Sequence, residues 1–328
     1  MHLIECQYFK VITTQLKSTA MHDLKSIYNK VFNSLHTVAK DYFDSRGNTR
    51  YYPNQPKLSD LEIIALAITS ECLQIDSENL LWSKLQKDYS DLFNELPHRT
   101  NFNKRRRNLA SHIMKCTNLL SDQLYNTYPD EVLIIDSMPI PVCRIARERS
   151  SKVCRKPERD EVMASKGKNL IMNGWYIGYK LHLITTTTGI YRDMMITPAN
   201  VHDSYFLKVI SQEDEHLSGH TLLGDRGYLG KSTQLRLFEE VQIKLDVPYR
   251  RNQRDYRKYD QVKKIKRKQI EVVFSQLCDE FVIKRNYAKS FEGLYSRIAS
   301  KLAAKTFKQY WNMKKGKPLN QTKHALAA

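Results

Sequence analysis

The 328-residue sequence lacks the signals of a membrane or secreted protein. The longest apolar run in its first half covers only residues 63–68, far short of a spanning segment. The N-terminus, MHLIECQYFKVITT, has no charged segment followed by a long apolar core, so we expect no signal peptide. The six cysteines form no Cys-x-x-Cys pair, which argues against a structural zinc site or a disulfide scaffold and favours reduced thiols in the cytosol.

Acidic residues are also scarce relative to basic ones. The chain has 35 Asp and Glu against 53 Lys and Arg, a formal net charge of +18. Such a surplus favours a polyanionic partner, either nucleic acid or an anionic membrane, and the lack of a membrane segment favours nucleic acid. A hydrophobic content of 41% is sufficient for an ordinary core, and the length is typical of two domains.

Residues 1–130 have the pattern of a mainly helical domain. In LSDLEIIALAITSECLQ (58–74), Ser59 and Glu62 have the spacing of a capping box before apolar residues at helical spacing. Further helical patterns cover 80–89 and 105–125. Between them, PHRTNFNKRRRNLA (97–110) is either a solvated basic face or a phosphate-binding one, and the net charge favours phosphate. Its candidate DNA-binding residues are Arg99, Lys104, Arg105, Arg106 and Arg107.

From residue 131 the pattern changes to strands. An apolar strand reaches Asp136, and Pro139 and Pro141 are expected to stop its pairing. The elements that follow are a hairpin over 175–197, a helix, a strand after 220, a helix, a strand and a helix over 263–278. This order predicts an α/β fold, a mixed sheet flanked by helices, over 131–312. Residues 138–173 are expected to form a basic loop or insertion, and 313–328 a loosely ordered tail.

Three carboxylates stand at special positions. Asp136 follows the strand 132–135, Asp225 follows a short strand and lies among glycines, and Glu271 lies at the edge of the apolar stripe of the last helix. Each has a local explanation: Asp136 a turn cap, Asp225 a glycine turn, and Glu271 an ion pair with Arg267. Their recurrence where two strand ends and a helix can converge favours one shared site.

Three clustered carboxylates would repel one another unless a cation neutralised them. Oxygen ligands without His or Cys favour Mg²⁺ or Mn²⁺ over Zn²⁺. Two such ions roughly 4 Å apart are the arrangement that supports in-line phosphoryl transfer, which agrees with a polyanionic substrate.

As a set, these segments resemble a bacterial insertion-sequence transposase of the DDE type, closest to the IS982 group within the IS4/IS5-like assemblage. The matching pieces are IIDSMPIPVC (134–143), GYKLHLITTTTGI (178–190), TPANVHDS (197–204), LLGDRGYLG (222–230) and RKQIEVVFSQL (267–277). The resemblance implies a ribonuclease-H-like core in which Asp136, Asp225 and Glu271 are the catalytic, metal-binding acids. Arg267 matches the arginine of an R-x-x-x-E pattern. Lys264 and Cys278 depart from the tyrosine and lysine of the fuller signature found in related families.

The resemblance further implies cleavage at terminal inverted repeats, strand transfer into target DNA, a homodimer on DNA, and a cytoplasmic, nucleoid-associated bacterial protein. Two rivals remain open: a nuclease of the same chemistry that does not join strands, and a catalytically inactive or domesticated DNA-binding protein.

Several polar residues near these acids have two readings. Lys180 and His182 share a strand face that either meets phosphate or faces solvent. His202 and Asp203 either support the site or begin a helix, with Asp203 or Ser204 as cap. The segment 244–270 combines basic residues with tyrosines, a pattern suited to holding DNA strand ends. The candidate DNA contacts here are Lys180, Arg250, Arg251, Arg254, Arg257, Lys263 and Lys264.

Overall fold

The computed structural model describes residues 23–93, 95–154, 162–169, 174–253, 256–285 and 287–326. Arg254, the first 22 residues and parts of the predicted insertion 138–173 lie outside these ranges. None of the helices within them is long and apolar enough to span a bilayer.

The first part of the described chain is helical, as predicted. Its helices are α1 (Leu24–Val38), α2 (Asp60–Cys72), α3 (Glu78–Lys87), α4 (Arg99–Asn108) and α5 (Ala110–Thr127). The capping box before α2 is present: the Ser59 amide donates to Oε2 of Glu62 at 2.6 Å, and the Glu62 amide donates to Oγ of Ser59. The sequence pattern therefore locates the start of α2 correctly.

A mixed six-stranded sheet follows. Its strands are β1 (Val132–Cys143), β2 (Ser165–Asn169), β3 (Gly174–Thr186), β4 (Tyr191–Pro198), β5 (Thr221–Leu223) and β6 (Lys244–Asp246). The order is β2-β3-β1-β5-β6, with β4 also beside β3. Strand β3 is antiparallel to β1, β2 and β4, whereas β1, β5 and β6 are parallel. The predicted hairpin is confirmed as β3–β4.

Strand β1 does not end at Asp136, and that expectation was wrong. The strand continues to Cys143, with Pro139 opposite Lys180 and Pro141 opposite Gly178 on β3. Its parallel partner β5 ends earlier, at the pair Ile134–Leu223, so one edge of β1 is open beyond that point. The Ser137 amide, free of the ladder, donates to Oδ1 of Asp136 at 2.8 Å. Pro139 and Pro141 follow Ser137 by two and four residues, so their backbone nitrogens point to the same side of β1 as the Ser137 amide. That side is the open edge, where the N–H group that proline lacks would have had no strand partner.

Helices cover both faces of the sheet. They are α6 (Tyr205–Val209), α7 (Lys231–Val241), α8 (Gln261–Arg267), α9 (Gln269–Asp279) and α10 (Phe291–Lys314). The single helix predicted over 263–278 is two helices, because the amide of Lys268 bonds to Ile265 and that of Glu271 to Lys268, three residues back in each case. These shorter bonds tighten the turn between α8 and α9.

One hydrophobic core joins the two predicted domains. It contains side chains of α1, α2, α5, β1, β3, α9 and α10. Helix α10 contacts α2 and α5 and also donates from Lys305 and Gln309 to the carbonyl of Gly189 between β3 and β4. The tail is not loosely ordered as expected: Thr322, Ala325 and Leu326 are buried.

Candidate active site

Two of the predicted acids lie side by side where β1 and β5 stop pairing. The last register pair is Ile134–Leu223, and Asp136 and Asp225 each follow two residues later. Both carboxylates therefore lie at the carboxyl end of the β1–β5 pairing, where β1 continues beyond its parallel partner. The sequence prediction that these two acids converge agrees with this geometry.

The Asp136 carboxyl group is strongly perturbed by its surroundings. Its pKa is raised to about 7, chiefly by burial and also by the negative charges of Asp225 and Asp203, while the Ser137 amide and the positive charge of Arg267 oppose the rise. Desolvation and like charge both disfavour the ionised form. A cation between Asp136 and Asp225 would remove this repulsion.

The glycine turn after β5 sets the position of Asp225. Oδ1 of Asp225 accepts a 2.7 Å hydrogen bond from the Gly227 amide. A Cβ atom at Gly224 would lie 3.1 Å from Cδ2 of Tyr228 and 3.3 Å from Cγ2 of Ile135. The absence of a side chain at Gly224 therefore lets β5 and the Tyr228 ring approach β1 closely. Burial raises the pKa of Tyr228 well above its usual range, with the charge of Asp136 adding to the effect.

Asp203 and Lys180 form an ion pair on the β3 side of the site. Nζ of Lys180 donates to Oδ1 of Asp203 and to the carbonyl of Val201, both at 2.7 Å. The charge of Asp203 is near enough to contribute to the raised pKa of Asp136. Ser204 precedes α6 without a side-chain capping bond, and Nδ1 of exposed His202 instead accepts from the Ser204 amide at 3.2 Å.

His182 does not face solvent or phosphate. Its ring is fully buried beside Phe206, and Nε2 pairs with Oγ1 of Thr197 at 2.8 Å. Burial lowers the pKa of His182 to about 4, so the ring is neutral at pH 7. The solvent-facing reading of this strand position was wrong because α6 covers it.

A further acid at the same edge, Asp246, was not singled out from the sequence. Strand β6 ends at Asp246, which is in register with Leu223 of β5, and its side chain pairs with Lys263. The Gly224 amide donates to its carbonyl at 3.2 Å. The segment IKLD repeats the pattern of an apolar strand ending in an acid, the signal that identified Asp136 and Asp225.

The last helical segment contributes Arg267 and Glu271. Arg267 ends α8 and is near enough to lower the pKa of Asp136. Glu271 lies in the first turn of α9, a helix that contacts β1, and its side chain is exposed. No Glu271–Arg267 ion pair occurs within the part of the chain that the structure describes, because the tightened turn at Lys268 separates their helices.

The donor set at the carboxyl edge fits a hard divalent cation. Asp136 and Asp225 each use Oδ1 for a local amide, and within the described ranges Oδ2 of neither accepts a hydrogen bond. Over the same ranges, no three His, Cys, Asp or Glu side chains are already spaced to hold a metal ion. The two aspartates therefore form a pair of oxygen donors, with Glu271 outside it in this conformation.

Some of the predicted DNA-binding residues make contacts within the protein, and others are exposed to solvent. Arg105 donates to Asp60 at 2.6 Å, Arg106 is 4% exposed beside Glu78, and Arg99 lies 3.8 Å from Glu78. These guanidinium groups make internal contacts, and Arg107 is half-buried. Lys263 and Lys180 are paired with acids. The side chains that remain exposed are Lys104, Arg250, Arg251, Arg257 and Lys264.

Comparison with known proteins identifies a family for this chain. A family model described as the transposase DDE domain matches residues 126–290, just over half of the chain, and this range includes Asp136, Asp225 and Glu271. No curated protein matches. A solved structure of piggyBac transposase in a synaptic complex with hairpin DNA is similar at 10% identity and a TM-score of 0.42, covering 93% of this chain and 79% of that one. On the strength of the family match, the chain belongs to the transposases with a DDE domain.

Proposed function

We propose that the protein is a DNA transposase that cuts DNA at the terminal inverted repeats of its element and joins the freed ends to target DNA. Family membership supports the transposase activity. The observation that carries the chemistry is the pair of carboxylates, Asp136 and Asp225, each two residues beyond the last register pair of two adjacent parallel strands. We further propose that the element is a bacterial, IS982-like insertion sequence and that the sheet is ribonuclease-H-like.

Asp136, Asp225 and Glu271 are the residues that would hold two Mg²⁺ or Mn²⁺ ions. When bound, such ions activate the attacking oxygen and stabilise the leaving oxygen of a phosphodiester. Asp136 feels the charges of both Asp225 and Arg267, so it would be the ligand that connects the aspartate pair with the arginine. Glu271 would add its carboxylate to the metal ligands when α9 brings it close to Asp136 and Asp225.

The protein's own groups orient the reaction. Amides of Ser137 and Gly227 fix one oxygen of each aspartate and so direct the other oxygen outward. Arg267 places a permanent positive charge beside Asp136, where a substrate phosphate would bind. The exposed basic residues of 250–264 lie in the segment that leads into α8 and would hold the DNA backbone near the acids.

We also propose that the active form is a homodimer on DNA in the cytoplasm, because cutting two element ends requires two sites. A gel-shift and light-scattering experiment with one or two DNA ends would measure the stoichiometry. A stable complex of one protomer per paired set of ends would contradict the dimer.

The test of function is strand nicking of a duplex that carries the element's terminal inverted repeat. In Mg²⁺, Asp225→Asn is expected to reduce the nicking rate by at least about 10³-fold, because the variant lacks a charged oxygen ligand. Asp193→Asn is the matched control, because it makes the same substitution on β4, outside the site. Nicking that is unaffected by Asp225→Asn would contradict the proposal.

Joining is tested separately with pre-cut ends. The transposase reading predicts that such ends, carrying a free 3′-hydroxyl, become covalently linked to a target plasmid. Efficient nicking with no linked product would identify a nuclease instead.

A further inference from the structure

A basic cleft lies between the helical region and the start of α10, apart from the acids. Its volume is about 770 Å³. Six basic side chains line it against two acidic ones, Asp76 and Glu78; the basic residues are Arg99, Arg106, Arg107, Lys152, Lys289 and Arg297. The lining therefore has a surplus of positive charge.

Two of these arginines are buried with unused hydrogen-bond donors. Arg106 is 4% exposed and Arg297 is 8% exposed. Nε of Arg106 and Nη1 of Arg297 have no hydrogen-bond partner among the described residues. Burying a guanidinium donor without an acceptor is costly, so an acceptor from outside the chain would stabilise both groups.

The acids in the cleft do not neutralise this charge. Oε1 of Glu78 lies 3.0 Å from Arg106, while Oε2 accepts from Asn103 at 2.5 Å. Asp76 lies 3.4 Å from both Lys301 and Arg285, so its charge is already shared. The positive charges of Arg297 and Arg107 add to burial in lowering the pKa of Arg106, which places three like charges close together.

The mouth of the cleft has the chemistry of a nucleic-acid contact. Lys152 and Lys289 are exposed there, and the Tyr287 ring is 57% exposed with the Arg297 guanidinium 5.6 Å from its centroid. Lysines at a rim, arginine forks inside and an exposed aromatic ring are suited to a phosphodiester backbone with its sugars and bases.

The position of the cleft relates it to the acids. Phe291, at the start of α10, contacts the ring of Tyr179, which is opposite Ile140 on β1. At about 3.3 Å per strand residue, Ile140 lies ~13 Å beyond Asp136. DNA that extends from the acids in this direction would reach the cleft roughly four or more base pairs from the cut, at about 3.4 Å per base pair.

We propose that this cleft binds the phosphodiester backbone of DNA at a distance from the cutting site, with Arg106 and Arg297 as the buried phosphate donors. This inference rests on the proposed function for its ligand, but its test does not depend on catalysis. The cleft lies between the helical region and the start of α10, so DNA bound in it would contact both.

The test is DNA affinity measured by fluorescence anisotropy, in EDTA and over a range of salt, with a mixed-sequence duplex of about 30 base pairs. The variant is Lys152→Glu/Lys289→Glu, which alters only exposed side chains. The control is Lys208→Glu/Lys317→Glu, which makes the same change in net charge at exposed residues outside the cleft. Far-ultraviolet circular dichroism checks that both variants are folded.

The cleft variant is expected to bind about tenfold more weakly than the control and to reduce the slope of log affinity against log salt by about two, one unit for each lost phosphate contact. Equal affinity and slope in the two variants would overturn the proposal. In parallel, roughly 20 mM inorganic phosphate is added in a thermal unfolding experiment. Stabilisation by phosphate that the cleft variant loses, without any change in DNA binding, would assign the cleft to a small anion and overturn the DNA assignment.

Failure of this proposal is separable from failure of the proposed function. If the cleft variant binds DNA with unchanged affinity and nicking still requires Asp225, the cleft proposal is rejected and the transposase proposal stands. If the cleft variant binds DNA more weakly but nicking does not require Asp225, the catalytic proposal is rejected and the cleft proposal stands.

Discussion

Asp136 occupies an environment that disfavours its own charge. Its pKa of about 7 lies above the ordinary value of 3.8, first because of burial and then because of Asp225. The unfolded chain therefore releases a proton between about pH 4 and pH 7 that the folded chain retains. The contribution of protonated Asp136 to the free energy of unfolding is therefore fully present below pH 4 and is lost as the pH rises to 7.

This sign predicts that Asp136→Asn stabilises the metal-free protein at pH 8. With about 1.4 kcal/mol for each unit of pKa, the shift from 3.8 to about 7 corresponds to a gain on the order of 4 kcal/mol in the free energy of unfolding at pH 8, with little change at pH 4. Urea unfolding in EDTA at the two pH values measures it. Asp193→Asn should show a similar gain while keeping nicking activity; loss of stability at pH 8 in Asp136→Asn would contradict the account.

For individual residues, the sequence predicts the acids of the site better than it predicts the side chains that contact them. Asp136 and Asp225 are visible in the sequence because each follows a short apolar run, and Asp246 follows the same pattern. The Lys180–Asp203 pair and the burial of His182 depend on α6 and on loop positions far along the chain. Local patterns do not contain that information.

Among the secondary-structure elements, β1 shows why strand ends are hard to predict. The prolines at 139 and 141 suggest a stop, yet they are tolerated because β5 has already ended and that edge needs no donors. The start of α2 was predictable because its capping box is local in sequence. The tightened turn at Lys268 has no such local signal.

The pairing of β1 with β3 depends on Gly178. A Cβ atom there would lie 2.1 Å from the carbonyl oxygen of Ile140 and 2.9 Å from Cα of Pro141, both backbone atoms. Gly178→Ala is therefore expected to cost about 3 kcal/mol or more of unfolding free energy, measured by urea titration.

The control is Gly230→Ala. Its Cβ would lie 3.4 Å from Oγ1 of Thr233, an ordinary contact, and its φ of −164° is extended backbone. We expect a change within about 1 kcal/mol. Equal losses in the two variants would show that close approach at Gly178 is not what limits β1–β3 pairing.

Helix α10 carries three buried lysines, and two of them, Lys301 and Lys305, are in opposite electrostatic situations. Lys301 pairs with buried Glu71 at 2.6 Å, whereas among the described residues Nζ of Lys305 donates only to the Gly189 carbonyl at 3.1 Å. Burial lowers the pKa of Lys305 to about 7, so its charge costs stability below that pH and the cost disappears towards pH 10.5.

Lys301→Met should destabilise the protein by about 3–5 kcal/mol at pH 7, because it leaves Glu71 charged and buried. Lys305→Met should be neutral or stabilising, since Gln309 also donates to the Gly189 carbonyl. Urea midpoints of the two variants give the comparison. A larger loss in Lys305→Met than in Lys301→Met would contradict this assignment of the two charges.

On the scale of the whole molecule, a shared core ties the helical region to the sheet. The two-domain expectation followed from the change of pattern near residue 131, but α10 is distant in sequence and packs against both parts. The sequence therefore predicts the types of element and their order, while long-range packing decides that they form one core.

The shared core predicts a single cooperative unfolding transition for residues 23–326. Hydrogen exchange in α2 and in β1 should report the same global free energy of opening. The measurement is native-state exchange against denaturant, followed by mass spectrometry. Separate transitions for the helical region and the sheet would show that the core does not couple them.

The most direct test of the central claim is the nicking rate of the acids changed singly and in pairs: Asp136→Asn, Asp225→Asn and Glu271→Gln. If the three act as one metal-binding unit, each single change should reduce the rate by at least about 10³-fold, and each double change should lose little more than the worse single one. A Glu271→Gln variant that keeps the native rate, or losses that multiply in the doubles, would contradict the account.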